Sequence, residues 1–304
     1  MAISVITVTH NSGDVVADLL RSLPGDVEAI IVDNASRDGS ADIARSARPG
    51  TIVVELPRNG GFGYGCNVGA GVASGDILIF LNPDGRPTEG ALGVLASRVA
   101  QDRSSIFGPA FLHDDGSPRH DVRRGSRPYH EALELLPSAK RWTPERLRRD
   151  VPESDQRYII GGDVDYLQGA CLAIDRQLFK SVGGFDEDYF LYSEEETLCE
   201  AVLAAGGRCV YVPDAVVSHV GGTSTARVSD FAVYHFYRSR AIFYRKRYGY
   251  AGGVVASSLI VTMITSNLVL SPLVKLLGSG GPYLAAHAYA YRGIGSGLAV
   301  RLSR

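Results

Sequence analysis

Along the first eighty residues, short continuous apolar runs alternate with amphipathic helical runs, and this alternation limits the fold more than any other feature. ISVITVT, EAIIVDN, TIVVEL and DILIFLN read as buried strands, with DVVADLLRSL and SADIARSA as helices between them. Strands that are apolar along their whole length are buried on both faces. Strand–helix alternation of this kind predicts an α/β fold with a mostly parallel sheet flanked by helices. In such sheets ligands collect at the carboxyl ends of the strands. The residues to read are therefore Thr9-His10-Asn11, Asp33-Asn34 and Asn82-Pro83-Asp84.

Beyond these strands the texture changes. From Pro118 to Asp150 the chain is rich in arginine and proline, and both a loop over a site and a solvated linker fit it. VDYLQGACLAIDRQLFKSVGGF reads as a strand then a short helix, RCVYVPDAVVSHVGG as two short strands, and SDFAVYHFYRSRAIFYRKRYG as a helix. Residues 248–274 then make 27 consecutive positions without a charge. A membrane span needs about 20 apolar residues, but serines, threonines, Asn267 and Pro272 dilute this stretch. Arg238, Arg240, Arg245, Lys246 and Arg247 cluster just ahead of it. The pattern favours helices lying on an anionic membrane surface over a full span. Core helices or a homodimer contact are the alternatives.

The 304 residues suffice for one large domain or two small ones, and the net charge of −2 argues against a nucleic-acid partner. Cys66, Cys171, Cys199 and Cys209 have no paired spacing and read as reduced, buried thiols of a cytoplasmic protein. The opening MAISVITVTHNSGD reads as a first strand, not a signal peptide. The glycine-rich NGGFGYGCNVGAGVASG fails as a dinucleotide fingerprint, because Cys66 or Val68 stands where its last glycine belongs. There is no Gly-Lys pair for a phosphate loop, and neither HExxH nor GxSxG occurs.

What remains is a set of acids. Asp84 follows a buried strand, where a carboxylate can reach a divalent cation on a diphosphate; Asn-Pro-Asp-Gly is also ordinary turn chemistry. Asp33 has the same two readings, as ligand or as cap. In FLYSEEETLCEAVLAAGG, Ser193 and Glu196 are spaced as a capping box. Glu194 and Glu195 fall in the first helical turn, where the macrodipole favours negative charge and keeps a carboxylate ready to accept a proton. One glutamate builds the helix start, and one of the other two is free for chemistry.

Together VITVTHNSGD, AIIVDNASRDGS, RNGGFGYGCNVGA, ILIFLNPDG, GACLAIDRQLFKSVGGFDEDYFLYSEE and VYVPDAVVSHVGGTST resemble the bacterial members of glycosyltransferase family 2, with the GT-A fold. The arginine–aromatic helix and apolar tail are similar to the family's cell-wall rhamnosyltransferases, which act in polysaccharide biosynthesis. The resemblance implies a nucleotide-sugar-binding half at 1–105, an acceptor-binding half at 106–225 and a helical, membrane-associating region at 226–304. It implies inverting transfer from a nucleotide-diphosphate sugar, with Glu195 as base and Glu194 the candidate one register away. Asn82-Pro83-Asp84 matches the family's DxD motif with the first acid replaced by an amide, so Asp84 would hold Mg2+ or Mn2+, with His219 a further ligand. Asp33 would pair with the donor's base beside Thr9, and Asn59, Gly63 and Asn67 would lie in a loop over the donor. Asp186, Arg238 and Arg240 would face the acceptor. The expected donor is dTDP-rhamnose and the expected acceptor a glycan or polyprenyl-diphosphate-linked sugar. A UDP-hexose or UDP-galactofuranose donor, or a scaffold that binds nucleotide-sugar without catalysis, are the alternatives.

Overall fold

The computed structural model describes residues 1–113, 115–130, 143–219, 230–276 and 283–302. Two compact units emerge, the first formed by Met1–Arg123, Asp150–Phe190 and Glu194–Ala226, the second by Arg124–Arg149, Leu191–Ser193 and Arg227–Arg304. The segments assigned from sequence to a donor half and an acceptor half both contribute strands to the one sheet of the first unit.

Its strands are β1 (Ile3–Thr9), β2 (Glu28–Asp33), β3 (Ile52–Glu55), β4 (Ile77–Leu81), β5 (Gly85–Pro87), β6 (Ile106–Leu112), β7 (Pro118–Arg119), β8 (Gly162–Asp163), β9 (Cys171–Asp175) and β10 (Cys209–His219). The helices are α1 (Val16–Ser22), α2 (Ser40–Ala47), α3 (Phe62–Val72), α4 (Ala91–Gln101), α5 (Arg157–Ile160), α6 (Arg176–Ser181) and α7 (Glu194–Ala204). The strand order is β3-β2-β1-β4-β9-β6-β10-β5, with β7 on β6 and β8 on β10. Strands β1 to β4 are parallel, β9 runs antiparallel between β4 and β6, and β6 pairs parallel with β10. Alternate strand residues feed two apolar layers. Ile6, Ile30, Leu78 and Phe80 face α3 and α7, while Val5, Ile31, Ile77 and Ile79 face α1, α2 and α4. This two-sided burial is why β1, β2 and β4 read as unbroken apolar runs, whereas β3, expected to be buried, lies at the sheet edge and is only partly covered.

Two local expectations change. RCVYVPDAVVSH forms one strand, not two; its register with β6 shifts between Val212 and Val216. Pro213, which has no N–H to give the ladder, lies inside that bulge. The glycine-rich stretch forms α3, a helix and not a loop over the donor, so Gly63 and Asn67 are helical residues. Gly65 and Gly69 put backbone against β1, since a Cβ on Gly65 would lie 2.7 Å from Val8 Cγ1 and one on Gly69 would strike Ile6.

The second unit contains α8 (Asp230–Leu276), broken at Gly249 (φ 71°), and α9 (Tyr283–Ala299). Gly293 and Gly297, one turn apart, rest on the α8 backbone at Tyr234 and Arg238. Arg245 donates to the carbonyls of Gly297 and Val300 at 2.7 and 2.9 Å, placing a cation at the carboxyl end of α9. Among the described residues no helix is long and apolar enough to cross a membrane. The side chains of Asn267 and Pro272, residues 131–142 of the basic segment, and the GGTST of the last resembling stretch lie outside the described residues.

The α3–β1 contact generates a stability test. Gly65→Val should lower stability by about 1–3 kcal/mol through overpacking. Gly71→Ala, on the exposed side of the same helix with open space at its Cβ position, should raise it by up to about 1 kcal/mol. Urea midpoints of the two variants check both, and equal midpoints would refute the close contact.

Candidate active site

The carboxyl ends of β1 and β2 lie side by side, with Thr9 opposite Asp33 in the register. Thr9 Oγ1 donates to Asp33 Oδ1 at 3.0 Å, and the Ser36 amide donates to Asp33 Oδ2 at 3.0 Å. The Asp33 carboxylate is thus buried and fixed at the strand end. Asn34, which sequence reading placed at a strand end without a role, proves to be a staple. Its side chain accepts from Gly60 N and donates to Gly61 O, both at 2.9 Å. Asn59 completes the turn by accepting from Gly61 N at 3.0 Å. Gly61 has φ 96°, and a Cβ there would collide with the Phe190 backbone, whose carbonyl receives the Phe62 N–H at 2.9 Å.

At the end of β4, the Asn82 backbone N–H donates to Ala170 O and its backbone carbonyl accepts from Gly85 N, making the expected turn. Asp84 within that turn is 6% exposed. The pairing of β5 with β10 puts the His219 backbone directly across from Gly85, the neighbour of Asp84. The side chain of His219 lies outside the described residues. Arg86, absent from the sequence reading, donates to the carbonyls of Pro83, Gly85 and Val15. Burial pulls its guanidinium below the usual range, against the opposing pull of Asp18 and Asp84. Among the described residues no three acidic, histidine or cysteine side chains gather as a metal cage. One buried carboxylate at a strand end still fits Mg2+ or Mn2+, ions that commonly take one or two protein carboxylates plus substrate phosphates.

The three glutamates occupy different environments. Glu194 and Glu196 are buried, while Glu195 is half-buried. Glu194 Oε2 has no hydrogen-bond partner. Burial, and then the charge of Glu195, push the Glu194 carboxyl well above the usual range, favouring its protonated form. Cys66 of α3 is pushed up in turn, by burial and by Glu194. Gly63 provides the space here, with Phe185 Cβ 3.1 Å and Glu194 Cβ 3.7 Å from where its own Cβ would be. Glu195 packs on the other side against Gly169, whose Cβ would sit 3.2 Å from Glu195 Cβ. The capping box lacks its usual backbone. Ser193 has φ 73°, in the left-handed region, where a capping serine is extended.

The remaining expected residues separate. Asn67 spends its amide on the 185–187 segment, donating to Phe185 O and Glu187 Oε1 at 2.8 Å each and accepting from Phe185 N at 2.9 Å. Asp186 accepts from the Asp188 amide at 3.1 Å, as turn chemistry requires. Arg240 belongs to the second unit and is 4% exposed. It donates to Ser126 Oγ at 2.8 Å and stacks over Phe236, so its guanidinium serves the packing of that unit. Arg238 lies beside His235, whose pKa falls to about 4, first through burial and then through that arginine.

Comparison with known proteins places the chain in a family. The model of the family "Glycosyl transferase family 2" matches residues 4–183. An N-acetylglucosaminyl-diphospho-decaprenol L-rhamnosyltransferase of Mycobacterium tuberculosis is 30% identical over 270 residues, covering 80% of this chain and 84% of the relative. Among solved structures, a mannosyltransferase of Pyrobaculum calidifontis with GDP-mannose and Mn2+ superposes with a TM-score of 0.56 at 16% identity, over 98% of this chain and 87% of that one. Residues 1–349 of TarS from S. aureus, with UDP-GlcNAc, superpose at 0.52 and 18% identity, over 98% and 80%. The fold is GT-A, and the chain belongs to glycosyltransferase family 2, a family of inverting nucleotide-sugar-dependent hexosyltransferases.

Proposed function

We propose that this enzyme moves rhamnose from dTDP-rhamnose to a hydroxyl of a polyprenyl-diphosphate-linked N-acetyl sugar, by one displacement with inversion. The observation that carries the chemistry is the unequal burial of the glutamate pair. Glu194 is enclosed, which favours its protonated form, and the less buried Glu195 is the carboxylate that accepts the proton of the attacking hydroxyl. Asp33, fixed by Thr9 and Ser36, receives the donor's base, while Asn59 and Asn34 hold the turn before α3. Asp84 would hold Mg2+ or Mn2+, with His219 as a further ligand; the ion would neutralise the leaving diphosphate. The transferred sugar and the acceptor follow the mycobacterial relative's name, and the Mn2+ in related structures supports the metal.

The second unit supports peripheral attachment to a membrane. Arg240 and Arg245 leave the basic cluster, because their guanidinium groups are spent on Ser126 and on the α9 carbonyls. In their place α8 exposes Tyr250, Val255 and Leu259 at 65, 62 and 47%. Exposed apolar side chains following Lys246 and Arg247 in the chain suit the interface of an anionic leaflet.

Three outcomes test this reading. Glu195→Gln should keep donor affinity and lower turnover by about 10²–10⁴-fold, the scale of a lost general base. Glu194→Gln, which imitates the neutral acid, should leave turnover near that of the parent; the reverse pattern in steady-state kinetics would move the base to Glu194. Asp84→Ala should abolish metal-promoted binding of nucleoside diphosphate by calorimetry without lowering the thermal midpoint. In sedimentation with anionic liposomes at low salt, the parent should pellet and a Tyr250→Ser/Val255→Ser/Leu259→Ser variant should stay in solution. Failure of the parent to pellet would assign this face to protein contacts.

A further inference from the structure

The acceptor side of the sheet carries a narrow cleft that none of these roles uses. Its walls are β6, the segment holding Asp121 and Val122, the stretch from Val164 to Gln168, and Tyr211 of β10. The deep residues are apolar: Val122, Val164 and Leu167 are 4, 6 and 4% exposed. Gly108 lets Leu167 close down on β6, since a Cβ there would come within 2.8 Å of Leu167 Cδ2. The floor therefore admits one small group, a methyl or a water.

The polar residues lie nearer the mouth. Gln168 is half-buried, and the Asp121 side chain is 15% exposed and paired with Arg119 Nε at 3.1 Å. The Asp121 carboxylate has acceptor capacity beyond that one contact. Gln168 can donate through its NH2, and the Tyr211 phenol stays protonated because burial lifts its pKa to about 12. Gln168 is followed by Gly169, the residue against which Glu195 packs. Gln168 of the cleft is thus the chain neighbour of the residue on which the proposed base packs.

An acceptor of N–H, a donor to C=O and a dry seat for one methyl form a single pattern. We propose that this cleft seats the acetamido group of the acceptor sugar, with the N–H on Asp121, the carbonyl on Gln168 and the methyl on Val122, Val164 and Leu167. This inference rests on the transferase reading and adds to it the feature that selects the acceptor. A plain hydroxyl at the same carbon would leave the apolar floor unfilled and the Gln168 NH2 without its carbonyl.

The full-length enzyme is assayed with farnesyl-diphospho-N-acetylglucosamine and with farnesyl-diphospho-glucose. We expect kcat/KM to favour the N-acetyl acceptor by roughly 10- to 100-fold, the range for a filled methyl site with paired polar groups. Val164→Phe, which fills the floor, should bring that ratio toward unity, with its thermal midpoint checking the fold. Independently of turnover, saturation-transfer NMR with methyl N-acetyl-α-glucosaminide should place the strongest signal on the acetyl methyl of the parent complex. Equal use of the two acceptors, or even saturation around the ring, would overturn the subsite and leave the transferase reading standing. Strong methyl saturation with no transfer to either acceptor from any nucleotide-sugar would do the opposite.

Discussion

The first unit depends on one backbone contact, the approach of α3 to β1 through Gly65 and Gly69. Two absent side chains bring the helix axis close to the sheet, and the residues flanking them inherit that closeness. Gly63 then lies against Glu194 and Phe185, Gly61 against the Phe190 backbone, and Cys66 beneath the Glu194 carboxyl. Asn67 on the same helix grips the 185–187 turn with its whole amide. A helix seated further out would loosen the donor-side turn and the start of α7 together. The glycines are therefore spent on positioning, at a cost in intrinsic helix stability of up to about 1 kcal/mol each, which burial of α3 against the sheet offsets.

That placement makes the glutamate pair unequal. Two neighbouring carboxyls in a partly dry site do not both ionise readily, and the one with less water yields. Here the yielding one is Glu194, enclosed by α3 and left with an unpartnered oxygen, while Glu195 packs against Gly169. Two adjacent glutamates leave the register open in sequence; burial distinguishes the two residues, and burial is a tertiary property. Glu196, whose spacing suggested a cap, is buried in the same helix.

How much could be read beforehand follows the range of the forces involved. Strand periodicity is local, so the strands of the first eighty residues and the carboxylates at their ends, Asp33 and Asp84, were legible. The α3 helix was not, because a run with five glycines between Gly61 and Gly71 has poor helix propensity and forms a helix only against β1. The bulge that joins two apparent strands into β10 depends on pairing with β6. Arg240 and Arg245 looked like free cations because their partners, Ser126 and the α9 carbonyls, lie 114 and at least 52 residues away in the chain. Asn34 and Arg86 carried only a faint signal, a polar residue directly after a strand and an arginine after a turn.

Backbone strain marks the same places independently of any motif. Among the described residues, four that are not glycine have positive φ: Asn11 (54°), Ala35 (59°), Tyr192 (70°) and Ser193 (73°). Each costs on the order of 1–2 kcal/mol for an ordinary side chain, and such residues persist only where their surroundings hold them. Asn11 follows Thr9 by two positions and Ala35 follows Asp33 by two, while Tyr192 and Ser193 stand immediately before Glu194. The surroundings that hold Asn11 and Tyr192 are visible. Asn11 donates to Ser36 Oγ and accepts from Arg37 N, both at 2.9 Å. Within the second unit, Leu191 O accepts from Ser239 Oγ at 2.7 Å and the Tyr192 ring meets Phe236 edge-on at 5.8 Å. A fold free to relax would extend these residues, and the proposed donor-binding and base residues would lose their directions. Among the described residues the non-glycine strain therefore falls in the chain segments next to Thr9, Asp33 and the glutamate pair.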